Sequence, residues 1–301
     1  MIKTPTTFVI GAGASNPYGF PIGSELTRQA RLIDHRSDLY RFILNREIKT
    51  SALETVLTDL REHPENSIDA YLETRQDESE TMRIGKTIIA AVMARYLIKS
   101  RNKQVVSIED WMHYIFRKMR EGARNYDELV NGNNVKFVTF NFDTLIETRF
   151  QAFTSATYRT SGNYPPVIHV HGKLPPAPDL GMEHDTGTIY PEWITWLDQA
   201  ASGINVVLDD IDNDTLTAVE EAVRSAEVIC FLGFAYATQN LNRLGIRNRL
   251  QPGGPSVYGS AFGLEAGEQE NVRSKFRDQI RLGHNGDGCL LTLRRLPVFR
   301  D

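Results

Sequence analysis

The sequence lacks an excess of basic residues. Its 34 lysines and arginines are outnumbered by 38 aspartates and glutamates, which gives a net charge of −4 at pH 7. Proteins that bind nucleic acid through its backbone neutralise many phosphates with Lys and Arg. This chain has no surplus of positive charge for that purpose, so we expect no direct binding to nucleic acid.

Cysteine is almost absent as well. Cys230 and Cys289 are the two that occur, and both lie in apolar runs that read as strands. The sequence contains no Cys-x-x-Cys pair, which excludes a structural zinc site built from four cysteines. We therefore expect two buried thiols in a reducing compartment, no disulfide and no bound metal.

Long hydrophobic runs are the third absence. The longest uncharged apolar run, residues 88–94, is far shorter than the roughly 20 residues of a membrane-spanning helix. The first residues also lack the charged and then apolar pattern of a signal peptide. The sequence predicts a soluble, cytoplasmic protein that does not associate with membranes.

Short apolar runs rich in β-branched and aromatic residues predict the strands of an α/β protein. They lie at residues 8–10, 135–140, 167–170, 228–232, 257–260 and 290–293. Strands that alternate with helical patterns are typical of a Rossmann-like, doubly wound parallel sheet. The helical stretch of about 31–130 is too long for one crossover, so we predict a single domain over 1–301, with a core of 1–30 and 131–301 and a helical insertion subdomain between.

The first predicted strand breaks into a glycine-rich loop of Gly11, Ala12, Gly13, Ala14 and Ser15. Glycines in this position let the backbone turn sharply and approach a diphosphate. The amides that follow would point at the anion, helped by the positive end of the next helix. A Gly-x-Gly after a strand is equally often a plain tight turn, so the loop by itself leaves both interpretations open.

Polar residues or glycines follow three further predicted strands. These residues are Asn141 and Asp143, then His171, then Gly233 with Phe234. Ligands of a doubly wound sheet bind at the carboxyl ends of its strands. The sequence therefore predicts that these groups converge with the glycine-rich loop on one active site.

These motifs, taken in order, resemble the sirtuin-like family. The matching stretches are Gly-Ala-Gly-Ala-Ser at 11–15, Thr-Phe-Asn-Phe-Asp-Thr-Leu at 139–145, His-Gly at 171–172 and Phe-Leu-Gly-Phe at 231–234. Ser67-Ile68-Asp69, Phe234-Ala235-Tyr236 and Asn240-Leu241 resemble the branch associated with bacterial antiphage defence.

Two departures separate the chain from the protein deacylases of that family. The four-cysteine zinc module is absent, and the deacylase sequence Gly-Ile-Pro-Asp-Phe-Arg is replaced by Gly19-Phe20-Pro21-Ile22-Gly23. The arginine of the deacylase cofactor loop is therefore missing. These differences put a groove for a histone-type peptide in doubt and leave an NAD pocket in place.

The resemblance implies an NAD glycohydrolase that takes NAD as its substrate and releases nicotinamide and ADP-ribose. Asn141 would hold a ribose hydroxyl or the attacking water, and Asp143 would orient the nicotinamide amide or the ribose. His171 would act as general base, because an imidazole titrates near neutral pH. Ser15 would bond a phosphate, and Gly233 with Phe234 would admit the adenosine end.

Each of these residues also has a purely structural interpretation. Asn141 could be a turn residue, and Asp143 and Ser15 could each cap the helix that follows it. Gly233 could simply end its strand. His169, two residues before His171, has the spacing of a metal pair, but no third ligand is visible, so a core or supporting role is favoured.

A toxic NAD hydrolase needs restraint, so we expect a homo-oligomer and an activating partner. By resemblance, that partner is a separate ring ATPase of the HerA translocase type or another phage-sensing protein. Two alternative functions remain: a deacylase or ADP-ribosyltransferase that uses the same pocket, and a non-catalytic module that senses NAD or ADP-ribose. Asn141 and His171 argue against the sensor, because binding alone needs no general base.

Overall fold

The computed structural model describes residues 1–63, 67–100, 109–160, 162–179, 181–182, 188–206 and 211–299. The chain divides into two compact units. The sheet unit comprises Met1–Pro17, Val105–Val170 and Ile211–Asp301, and the helical unit comprises Tyr18–Gln104 and His171–Asp210. This division differs from the predicted insertion of 31–130, because 111–131 belong to the sheet unit and 191–203 to the helical unit. The organisation as a single domain stays a prediction.

A six-stranded sheet in the order β3-β2-β1-β4-β5-β6, with every neighbouring pair parallel, forms the centre of the sheet unit. Its strands are β1 Thr6–Ile10, β2 Val135–Thr139, β3 Val167–His169, β4 Val228–Leu232, β5 Ser256–Gly259 and β6 Ile280–Leu282. This is the strand order of a Rossmann-type doubly wound sheet. The predicted α/β class and parallel sheet are confirmed.

The sheet is packed on both faces, which is why its strands are continuous apolar runs. On one face Phe8 stacks on Phe137 at 5.5 Å between ring centroids, and Phe8 also contacts Phe299. On the other face Val9 lies in a buried cluster with Val219 and Val223, which belong to the helix at 213–224. All five residues of β1 and of β4 are buried.

The helices of the sheet unit surround these two faces. They are α1 Ala12–Ser15, α7 Trp111–Arg120, α8 Tyr126–Asn131, α9 Leu145–Tyr158, α11 Asn213–Arg224, α12 Thr238–Arg243, α13 Ala266–Lys275 and α14 Cys289–Arg295. The indole nitrogen of Trp111 donates to the Ala14 carbonyl at 2.8 Å and so ties α7 to α1.

The prediction of a strand at residues 290–293 is wrong. These residues lie in α14, and the sixth strand is the three-residue β6. A run of four apolar residues fits a buried strand or one turn of a buried helix equally well. Cys289 therefore begins a helix, whereas Cys230 lies in β4 as expected.

The helical unit is built around one long helix. Its helices are α2 Gly23–Arg31, α3 Asp38–Leu44, α4 Thr50–Glu62, α5 Ile68–Glu73, α6 Ser79–Ser100 and α10 Pro191–Gly203. The apolar run 88–94 forms the buried middle of α6, and a helix that is apolar all round is buried on all sides. Gly85 lets α5 approach α6, since a Cβ there would lie 2.3 Å from Leu72. Among the described residues, no helix has both the length and the hydrophobicity that a bilayer crossing would need.

Candidate functional site

The candidate site lies at the carboxyl ends of β1, β2 and β4 in the sheet unit. The strand order reverses between β1 and β4, and ligands of open α/β sheets bind at such a switch point. Gly11 is the first residue after β1, Asn141 is the second residue after β2, and Gly233 is the first residue after β4. The parallel register therefore places these three motifs at the carboxyl-terminal edge of the sheet.

Glycines bring the loop after β1 and the turn after β4 into direct contact. A Cβ on Gly11 would lie 2.5 Å from the Gly233 carbonyl oxygen, and a Cβ on Gly233 would lie 1.9 Å from the Ala14 nitrogen. Gly233 also has a positive φ of 56°, which favours glycine. The close packing of these two backbone segments therefore requires glycine at both positions, whether or not a ligand binds.

The amides of this loop are arranged differently from the expectation. The Gly13 amide donates to the Gly233 carbonyl at 3.0 Å, and the Ala14 amide donates to the Gly11 carbonyl at 3.0 Å. Both are therefore occupied by the protein, whereas the Ala12 amide has no acceptor among the described residues. Helix α1 has four residues, so few aligned peptide dipoles contribute at its N-terminus.

Asn141 is held in one orientation. Its side-chain Nδ2 donates to the Gly11 carbonyl oxygen at 3.1 Å and to Ser15 Oγ at 2.9 Å. A carbonyl oxygen only accepts hydrogen bonds, so the amide nitrogen must be the atom that faces Gly11. The Asn141 Oδ1 has no hydrogen-bond donor among the described residues. The side chain therefore offers an acceptor to a hydroxyl group or a water.

Asp143 continues this network. The Ser15 hydroxyl hydrogen-bonds its carboxyl group, and the Leu145 amide donates to Asp143 Oδ1 at 3.2 Å. Burial raises the pKa of Asp143 above its usual value, although these hydrogen bonds and the nearby His169 oppose the shift. Asp143 thus bonds the first amide of α9, although the N-cap residue of that helix is Thr144, and it also belongs to the polar network of the site.

His169 and Glu147 form a buried pair beside Asn141. His169 Nε2 lies 2.8 Å from Glu147 Oε1, and His169 Nδ1 lies 3.3 Å from the Asn141 carbonyl oxygen. Their side chains are 7% and 8% exposed. The sequence interpretation favoured a supporting role for His169 but missed Glu147. The available signal was the spacing of Asp143 and Glu147, four residues apart at the start of a helix.

His171 belongs to the helical unit by its contacts. It is buried, and its carbonyl oxygen accepts a hydrogen bond from the Asn205 amide at 2.9 Å. Gly172 follows with a φ of 74°, and a Cβ there would lie 1.9 Å from the Gly203 carbonyl oxygen. The glycine of the His-Gly motif is therefore required by packing against the end of α10. The role of His171 as general base stays a prediction.

Phe234 contributes to the hydrophobic core. Its ring contacts Phe140, Phe231 and Tyr236 at 5.2, 5.3 and 5.6 Å between centroids. The neighbouring Gly233 amide donates to Ser260 Oγ at 2.8 Å, which joins the turn after β4 to the end of β5. Cofactor binding by Gly233 and Phe234 stays a prediction, and for Phe234 it would rest on the backbone, because the side chain is buried.

The described residues show no metal-binding group and no reactive thiol. Within them, no three or more His, Cys, Asp or Glu side chains are placed to hold a metal ion. Both cysteines are free and buried. Burial raises the pKa of the Cys230 and Cys289 thiols, so neither forms a thiolate readily.

Comparison with known proteins gives only distant structural similarity. No protein-family model matches the chain, and no curated protein matches it. Among solved structures, that of Sir2Tm bound to a propionylated peptide is similar to this chain at 14% sequence identity and a TM-score of 0.40. The similarity covers 96% of this chain and 90% of that chain.

Proposed function

We propose that this protein hydrolyses NAD at the bond between nicotinamide and ribose, releasing nicotinamide and ADP-ribose. The observation that supports this most directly is the orientation of Asn141 at the switch point of the sheet. Both of its amide donors bond the protein, through Gly11 and Ser15, and its Oδ1 is left as an acceptor. Hydrolysis of NAD needs such an acceptor for a ribose hydroxyl or the attacking water.

The proposed reaction divides the work among three side chains. The glycosidic bond breaks with its electron pair going to the nicotinamide nitrogen, and the water oxygen forms the new bond to the ribose carbon. Asn141 orients the water or the ribose hydroxyl, and Asp143 orients the nicotinamide amide or the ribose. The proton lost by the water goes to His171, whose imidazole suits a general base near neutral pH.

Substrate binding is assigned to the loop of residues 11–15 and to the turn at Gly233. Nucleotides bind at this switch point in Rossmann-type sheets. The unoccupied Ala12 amide is a donor for a phosphate oxygen, and the close contact of Gly11 with Gly233 fixes the loop that carries it. We assign no metal to the reaction.

The biological role that we propose is NAD depletion in bacterial antiphage defence. This rests on the resemblance of the ordered motifs to the defence-associated branch of the sirtuin-like family. With it we propose a cytoplasmic homo-oligomer that is restrained until a partner activates it, the partner being a HerA-type ring ATPase or another phage-sensing protein. Activity should therefore be measured with and without candidate partners.

Product analysis tests the reaction. Purified protein is incubated with NAD, and nicotinamide, ADP-ribose and any modified protein are separated by chromatography. Equal amounts of free nicotinamide and ADP-ribose are expected. Formation of acyl-ADP-ribose from an acylated peptide would identify a deacylase, and ADP-ribose attached to protein would identify a transferase. Binding of NAD without any nicotinamide release, with every partner tried, would contradict an enzymatic function.

A further inference from the structure

We propose that Glu147 and His169 form a positioning pair that holds the backbone carbonyl of Asn141 and thereby fixes the turn that presents the Asn141 side-chain oxygen. The proposal rests on the proposed function, because it assigns these two residues to the same reaction. Neither residue is expected to touch the substrate. Both would act through Asn141.

The pair joins three separate elements of the sheet unit. His169 is the last residue of β3, Glu147 lies in the first turn of α9, and Asn141 lies in the connection from β2 to α9. His169 contacts both of the others, through Nε2 to Glu147 and through Nδ1 to the Asn141 carbonyl. The position of the Asn141 backbone is thus tied to a strand and a helix through one imidazole ring.

The contacts determine where the protons of the pair lie. The Asn141 carbonyl only accepts hydrogen bonds, so His169 Nδ1 must carry a proton and donate it. Nε2 and Glu147 Oε1 then share one proton, either as an imidazolium facing a carboxylate or as a neutral imidazole facing a carboxylic acid. Both arrangements have no net charge, which allows the pair to be buried. They also occupy both ring nitrogens, so His169 is no free general base.

The remaining carboxyl oxygen argues against a purely stabilising role. Glu147 Oε2 is buried and has no hydrogen-bond partner among the described residues. A buried polar atom without a partner is costly, and apolar residues of similar size often replace a buried ion pair without loss of stability. If the two side chains were needed only for packing, apolar residues at these positions would stabilise the fold better. Holding the Asn141 carbonyl requires a donor, which an apolar side chain lacks.

The other hydrogen bonds of Asn141 are made by its amide nitrogen and its side chain, not by its carbonyl. Its amide nitrogen donates to Thr139 Oγ1 at 3.1 Å, and its side chain bonds the loop after β1. Without His169 the Asn141 carbonyl would lose the only bond that the described residues give it. The peptide plane could then rotate and carry Oδ1 away from its position.

The main test replaces Glu147 with residues of similar length. Glu147→Met removes the shared proton, and Glu147→Gln keeps a hydrogen-bonding group that can donate to Nε2 while Nδ1 retains its proton. His169→Leu is a second disrupting variant, which keeps the test open should Glu147→Met not fold. Glu220→Met, an exposed position on α11, is the matched control.

The first readout does not depend on enzymatic activity. In protein labelled with ¹⁵N-asparagine, the side-chain amide signal of Asn141 is assigned from its loss in Asn141→Ala. We expect its hydrogen exchange to speed up by about tenfold or more in Glu147→Met and His169→Leu, because the turn loosens. Glu147→Gln should restore most of the protection, and Glu220→Met should not alter it.

The second readout is the kinetics of nicotinamide release. A residue that positions Asn141 for the chemical step lowers kcat with little change in KM. We expect kcat to fall by about tenfold in Glu147→Met, KM to stay within about twofold, and Glu147→Gln to recover most of the loss.

Three outcomes separate this inference from the proposed function. Faster exchange together with lower kcat supports both. Faster exchange in a native protein that never cleaves NAD supports the positioning of Asn141 and contradicts the proposed function. Unchanged exchange of the Asn141 amide in folded Glu147→Met and His169→Leu overturns the inference, whatever the activity.

Discussion

The turns after β2 and β3 both carry predicted catalytic side chains, yet they are held by different means. The turn of Asn141 and Asp143 is held by side chains, which bond the loop after β1, the start of α9 and the end of β3. At the turn of His171 and Gly172, the backbone is held by the Asn205 amide and by the close approach of Gly172 to Gly203.

This difference decides which substitutions each turn tolerates. A turn held by polar side chains is vulnerable to the loss of any member of the network, because a buried partner is left unsatisfied. A turn held through its backbone does not tolerate an added Cβ at its glycine. Loss of the Asn141 side chain should therefore loosen its turn, and an added Cβ at Gly172 should damage the turn of His171.

The largest expected effect is on NAD cleavage. Asn141→Ala and His171→Ala should each lower kcat by on the order of a hundredfold or more, since each removes a group used in the transition state. NAD binding should weaken in Asn141→Ala, because the loop of residues 11–15 loses two hydrogen bonds. It should persist in His171→Ala. Nicotinamide release and calorimetric titration with NAD measure the two effects.

Exposed residues of the same types provide the controls. Asn131→Ala and His35→Ala replace exposed side chains and should leave both turnover and binding unchanged. Near-normal nicotinamide release by His171→Ala, under conditions where the native protein is active, would show that the general base is another group.

The second prediction concerns the backbone of the His171 turn. Gly172→Ala should lower the free energy of unfolding by roughly 2 kcal/mol, through a strained positive φ and a collision with Gly203. Gly263 has the same φ of 74° but open space around its Cα. Gly263→Ala should therefore cost only the strain, about 1 kcal/mol. Urea unfolding of the two variants separates strain from collision, and equal losses would contradict the proposed packing.

The smallest effect is a pH dependence at the Asn141 turn. Burial raises the pKa of Asp143 in the folded protein, so its carboxyl favours folding when protonated. That contribution is complete below the unfolded pKa of about 3.9 and is lost as the pH rises through the folded pKa. Asp143→Asn, which stays neutral, should gain stability relative to the native protein over this range. Urea unfolding between pH 3 and pH 8 measures the free energy of unfolding of both proteins. A constant difference between Asp143→Asn and the native protein over this range would contradict the prediction.

The predicted strands succeeded where the signal was local, whereas the roles of the predicted site residues stay predictions. β4 was predicted at its observed bounds, and β1 and β2 to within two residues at either end, because buried parallel strands read as continuous apolar runs. The motifs at their carboxyl ends were found in the same way, as glycines and polar residues directly after an apolar run. The prediction failed at the edge of the sheet, where β6 has three residues and an exposed Arg281, too few to show a periodicity.

The sequence by itself determined five of the six strands, the glycines that end two of them and the polar residues that follow, since these depend on neighbours along the chain. Only the tertiary structure decided that the Gly11 loop packs on Gly233, that the Asn141 side-chain nitrogen faces Gly11, and that Glu147 meets His169. Each of these depends on an atom supplied by a distant part of the chain. Distances between such atoms are set by the packing of the whole sheet unit, which no local pattern records.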